Sequence, residues 1–162
     1  MRFVLGLVRK SIPMRDEKRR VPRGPDRELE NELTQNLQFM FRDWGARIAH
    51  SEVGTVVVEC GNVLLKAIRE RDFLVFFISP VQTEDWNLPD ITLAAVTGES
   101  DTVIMSDRTS VVSLARALEP RMAQLQSAFS EPNVSATLRA IDRVRRLAEE
   151  RSRSGPRSIG EI

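Results

Sequence analysis

The stretch Ala46–Ser79 constrains this chain more than any other, because it is the one long block rich in Val, Ile, Phe and Leu and it is cut into strand-length pieces by turn signals. Ala46–Val53, Thr55–Cys60, Val63–Arg69 and Asp72–Ser79 read as four consecutive strands with short connections, which predicts an antiparallel meander. Gly61-Asn62 between the second and third pieces suits a two-residue type II′ turn, with glycine at the first turn position. In the second piece Val56, Val58 and Cys60 share a face, with Val57 and Glu59 on the other, a half-buried pattern. In the last piece Phe73, Val75 and Phe77 alternate with Leu74, Phe76 and Ile78. Both faces are therefore apolar, and the strand is expected to be central or covered on both sides. The connection Glu70-Arg71-Asp72 is fully charged and expected to be exposed.

Helical periodicity brackets this sheet. Pro25-Asp26 followed by Glu28, Glu30 and Glu32 marks a helix start, since carboxylates favour the positive end of the helix dipole. Leu29, Leu33, Leu37, Met40, Phe41 and Trp44 form its apolar stripe, and Gly45 is placed to end it. After the sheet, Asn87 is expected to cap a short helix over Leu88–Thr97 that Gly98 closes. Gly98–Arg108 reads as irregular. A helix from Ser110 carries Val111, Leu114, Leu118, Met122, Leu125 and Phe129, with Pro120 kinking or splitting it. A last helix after Pro132 carries Leu138, Ile141, Val144 and Leu147. The expected fold is α+β: a four-stranded antiparallel meander at about 46–79, preceded by one helix and followed by three or four.

At 162 residues the chain has room for one domain with a real core, expected over 26–151. Residues 1–25 read as a basic, flexible N-terminal arm and 152–162 as a disordered tail. The apolar opening Met1–Val8 is short, interrupted by Gly6 and followed by no small-residue cleavage site, which argues against a secretory signal. A single cysteine leaves no internal disulfide, making a reducing cytoplasm the expected compartment. No run approaches the ~18 apolar residues of a membrane span.

Charge is unevenly placed. Residues 1–25 hold eight basic and two acidic groups, a net +6, and residues 139–162 hold seven and four, a net +3. The formal total is +1, so residues 26–138 carry −8. An acidic body favours a basic partner and disfavours docking on nucleic acid or an anionic membrane.

Groups able to do chemistry are sparse. His50 and Cys60 are the chain's single histidine and single cysteine. A Cys–His nucleophile pair needs both within hydrogen-bond reach, and alternation places Cys60 with Val56 and Val58 as a buried thiol. One histidine and one cysteine cannot supply the ligand set of a zinc site, and no glycine-rich phosphate loop occurs, so no metal or cofactor is expected. Glu84-Asp85-Trp86 with Asp90 is the one acidic-aromatic cluster, and it suits a surface for a basic partner better than acid–base catalysis.

Trp44-Gly45-Ala46-Arg47-Ile48, the strand ending Val58-Glu59-Cys60-Gly61, and Leu65 through Phe76 with its Arg-rich turn carry a further signal. Together with Glu84-Asp85-Trp86 leading to Gly98, they resemble small bacterial immunity-type or defence-associated accessory proteins across roughly Glu28 to Arg151. The shorter first hairpin, turning at Val53-Gly54, and the basic leader depart from that pattern. The resemblance implies an accessory role carried out by protein binding.

The reading that joins these signals is a non-enzymatic protein-binding module, with an immunity, antitoxin or defence-complex partner. Its expected contact residues are Glu84, Asp85, Trp86 and Asp90, together with Glu70 and Arg71. The alternative is a nucleic-acid-binding accessory subunit. It would use Arg15, Lys18, Arg19, Arg20 and Arg23 of the arm with Arg143, Arg145 and Arg146 of the last helix, provided both termini lie on one side of the body.

Overall fold

The computed structural model describes residues 24–155. The basic arm, and with it Arg15, Lys18, Arg19, Arg20 and Arg23, lies outside the described residues, as does the tail beyond Gly155. Two helical segments, α1 (Arg27–Asn36) and α2 (Gln38–Asp43), precede a sheet of β1 (Arg47–Glu52), β2 (Thr55–Cys60), β3 (Val63–Glu70) and β4 (Phe73–Pro80). The strands pair antiparallel in sequence order, the expected meander. Then come α3 (Pro89–Thr97), the single turn α4 (Asp101–Ile104), α5 (Val111–Leu118), a 3-10 turn at Glu119–Arg121, α6 (Met122–Ala128) and α7 (Val134–Ser154).

Local chemistry accounts for most boundaries. Asp26 caps α1 by accepting from Leu29 N–H at 3.0 Å, and its other oxygen accepts from Gly54 N–H at 2.9 Å in the β1–β2 turn. One carboxylate thus ties the helix start to a hairpin. Burial pushes that carboxyl upward, but the two backbone donors and the nearby Arg69 charge outweigh it and hold Asp26 below its usual range. Gly61 has φ +60°, as the type II′ turn requires. Gln126 of α6 locks this turn, accepting from Asn62 N–H at 2.8 Å and donating to Cys60 O at 2.7 Å. Ser110 caps α5 through Ser113 N–H, and Pro120 sits in the 3-10 turn that separates α5 from α6.

Several boundaries differ from expectation. The leading helix breaks at Leu37, whose ψ of 32° leaves the helical range, and this rephases the next turn. Phe39 becomes buried, Phe41 is only half-buried and Trp44 is 37% exposed. Asn87 does not cap α3. Leu88 holds that position, while Asn87 exchanges two backbone hydrogen bonds with Ile78 and so lays the post-β4 loop along the strand. The stretch after Gly98 contains α4, and α7 continues through Ser154, three residues past the expected end.

Strand register divides the sheet into two faces. The inner face carries the rows Ser51–Val56–Ala67–Phe76 and Ile48–Val58–Leu65–Ile78, with Cys60–Val63–Pro80 at one end. These side chains join Leu29, Leu33, Leu37, Met40, Leu93, Leu114, Leu118, Met122, Leu125 and Phe129 in a single core. Here the expectation for β4 fails. β4 is the last strand of the sheet, and of Phe73–Ile78 only Leu74, Phe76 and Ile78 are buried; Val75 and Phe77 are half-exposed and Phe73 is 48% exposed. The later helices do not cover the second face. They stack with α1 on the first, as the α1–α5, α3–α5 and α3–α7 packings show.

Candidate protein-binding face

Three rows cross the uncovered face: Glu52–Thr55–Ile68–Val75, His50–Val57–Lys66–Phe77 and Arg47–Glu59–Leu64–Ser79. Phe73 lies beyond them, beside Glu70 at the β3–β4 turn. Polarity changes along each row. The β1 side is charged, with Arg47 paired to Glu59 at 2.8 Å, whereas β3 and β4 present Leu64, Ile68, Phe73, Val75 and Phe77 as a continuous apolar lane. A bulge between Ile48 and His50, together with the charges, blunts the β1 edge against pairing with another strand.

Trp86 completes the surface. Pairing of Asn87 with Ile78 brings the preceding residue back over the sheet, and the indole lies 4.0 Å from the Lys66 ammonium. The same ammonium is 5.9 Å from the Phe77 ring, so an aromatic pair holds the lysine at the centre of the face. Ala49, His50, Thr55, Val57, Glu59, Leu64 and Glu84 line the shallow hollow around it. An aromatic-rich apolar patch rimmed by carboxylates can bury a peptide segment and select for flanking positive charge.

The residues expected from sequence to make contact separate under this geometry. Glu84, Asp85 and Trp86 stay together on the loop after β4, with the two carboxylates exposed. Glu70 and Arg71 are exposed at the other end of β4, the length of a strand away. Asp90 is not a surface group. It is 3% exposed, and one oxygen accepts from Arg108 Nε at 2.7 Å, so it anchors the loop that leads into α5. The apolar lane itself was missed, because alternation alone gave both faces of β4 equal claim to burial.

On α7, Arg145 donates to Asn87 Oδ1 at 3.0 Å and also pairs with Asp142, and Arg146 pairs with the same carboxylate at 2.8 Å. Arg143 lines a hollow shared with Asp85, Asn87, Arg139 and Asp142. The acidic loop and the basic helix are therefore neighbours that offset one another. Residues 24–155 hold fifteen basic and twenty acidic groups, so the described body has a net charge of −5.

Cys60 and His50 point to opposite faces of the sheet. Cys60 is buried with Sγ 3.7 Å from Trp44 O, and burial pushes its thiol up to about 11, which leaves no thiolate for nucleophilic attack at neutral pH. Among the described residues no group of three or more His, Cys, Asp or Glu is placed to hold a metal ion, and no helix is long and apolar enough to cross a membrane. Comparison with family models, with curated proteins and with solved structures finds no match.

Proposed function

We propose that this chain is a non-enzymatic protein-binding module whose contact surface is the uncovered sheet face. The observation that carries this reading is the apolar lane of Ile68, Phe73, Val75 and Phe77, left without a helix layer while the helices pack on the opposite face. Glu52, Glu70, Asp72, Glu84 and Asp85 are exposed around it, which favours a partner segment that is apolar with basic flanks. The resemblance to immunity-type and defence-associated accessory proteins makes a toxin, or a subunit of a bacterial defence complex, the partner class. The nucleic-acid alternative draws less support, since Arg145 and Arg146 are engaged by Asp142 and the body is acidic.

The test is co-purification from the native host, or co-expression with the neighbouring gene product, comparing the unaltered protein with Phe73→Ser/Val75→Ser. Both positions are solvent-accessible, so the double variant keeps its core. The expected result is a partner retained by the unaltered protein and lost by the variant. Retention of the same partner by the variant, with loss on Glu84→Lys/Asp85→Lys, would move the contact to the acidic loop and refute the lane as the binding surface.

A further inference from the structure

The described chain begins at Gly24, and Pro25 to Glu28 line a hollow with Val53, Gly54, Arg69 and Arg71 at the end of the sheet where the β1–β2 and β3–β4 turns lie. The segment before it therefore joins the body at that end of the sheet, beside Ser51 and Arg69 of the covered face, with only the two turns between it and the uncovered one. Its composition is the complement of that face. Phe3, Leu5 and Leu7 alternate along an apolar opening, followed by Arg9, Lys10, Arg15, Lys18, Arg19, Arg20 and Arg23 against only Asp16 and Glu17. The face offers an apolar lane within a rim where the exposed carboxylates of Glu52, Glu70, Asp72, Glu84 and Asp85 outnumber the guanidinium groups of Arg47 and Arg71. Length also fits. An eight-residue strand such as β4 is about 25 Å long, while the fifteen residues between Val8 and Gly24 can span up to about 50 Å.

We propose that residues 1–23 are a ligand of the uncovered face in cis, with Phe3, Leu5 and Leu7 against the Ile68–Val75–Phe77 lane and the basic run against the carboxylate rim. This rests on the reading of that face as a protein-binding surface and adds a control to it. A tethered segment competes at high effective concentration, so a trans partner must displace it and gains access when it is weakened.

The test uses full-length protein carrying Leu5→Cys with Val75→Cys, oxidised under dilute, non-denaturing conditions. Leu5→Cys with Val112→Cys, an exposed position on α5, is the control. Buried Cys60 does not compete for oxidation. A cross-link within one chain, forming at least tenfold faster for the Val75 pair than for the control, is expected. Phe3→Asp/Leu5→Asp in the full chain should also shift Trp86 emission, read in a Trp44→Phe background, and increase capture of the trans partner. Equal rates for the two pairs, or a disulfide-linked dimer that indicates a second copy as occupant, would overturn the cis proposal. Loss of the partner from Phe73→Ser/Val75→Ser is scored separately, so the binding reading can survive failure of the cis contact.

Discussion

Phe73 and Phe76 are the same residue type on one strand, three positions apart and on opposite faces, so truncating each measures what the second layer contributes. Phe76 is 1% exposed within the core, and Phe76→Ala removes its transfer free energy and leaves a cavity, a cost of about 3–5 kcal/mol. Phe73 is 48% exposed. Full burial of a Phe side chain contributes about 1.5–3 kcal/mol, so roughly half of that is at stake in Phe73→Ala, and water fills the space without a cavity cost. The expected ratio is about fourfold. Urea unfolding followed by circular dichroism reads it directly. With a slope of about 2 kcal/mol/M, Phe76→Ala lowers the midpoint by roughly 2 M and Phe73→Ala by about 0.5 M. Phe76→Leu keeps the measurement on scale if the alanine variant does not fold. Equal midpoints for the two alanine variants would mean that Phe73 is covered, and would refute the open-face description.

Asp26→Ala removes acceptors for both Leu29 N–H and Gly54 N–H and is expected to cost about 1–2 kcal/mol at pH 7. Because the folded carboxyl is held below the ordinary aspartate value, this advantage is fully present above that ordinary value and is lost as pH falls through the folded one; stability curves for both proteins from pH 7 to 2 should converge, and parallel curves would refute the assignment. Gly61→Ala forces a side chain into φ +60° with its Cβ 2.5 Å from Gln126 Oε1, an oxygen held by Asn62 N–H. A loss of about 2–3 kcal/mol in thermal unfolding is expected, and a change under about 0.5 would show that the Gln126 lock is not rigid. The Arg121 guanidinium, hydrogen-bonded to Glu99, holds that carboxyl at about 2. An NMR titration should show the Glu99 midpoint near 2 in the unaltered protein and back toward the ordinary glutamate range in Arg121→Ala.

Interactions confined to neighbours in the chain were legible from sequence. The strand pieces, the Gly61-Asn62 turn, the caps at Asp26 and Ser110, the stop at Gly98 and the split at Pro120 follow from side-chain alternation, φ preferences and missing donors, all fixed within a few residues. The sequence by itself therefore determined the meander and its flanking helices. Tertiary structure decided what each face meets. Alternation in β4 gave two apolar sets, and only packing of α1, α3 and α5 onto one side of the sheet made Phe76 core and Phe73 surface. Asp90 looked like a loop carboxylate until Arg108, eighteen residues later, closed on it, and that Trp86 meets Lys66 was set only by the Ile78–Asn87 pairing. Local propensity depends on a residue and its neighbours, whereas burial and pairing depend on which distant surfaces arrive, and no window of sequence contains both partners.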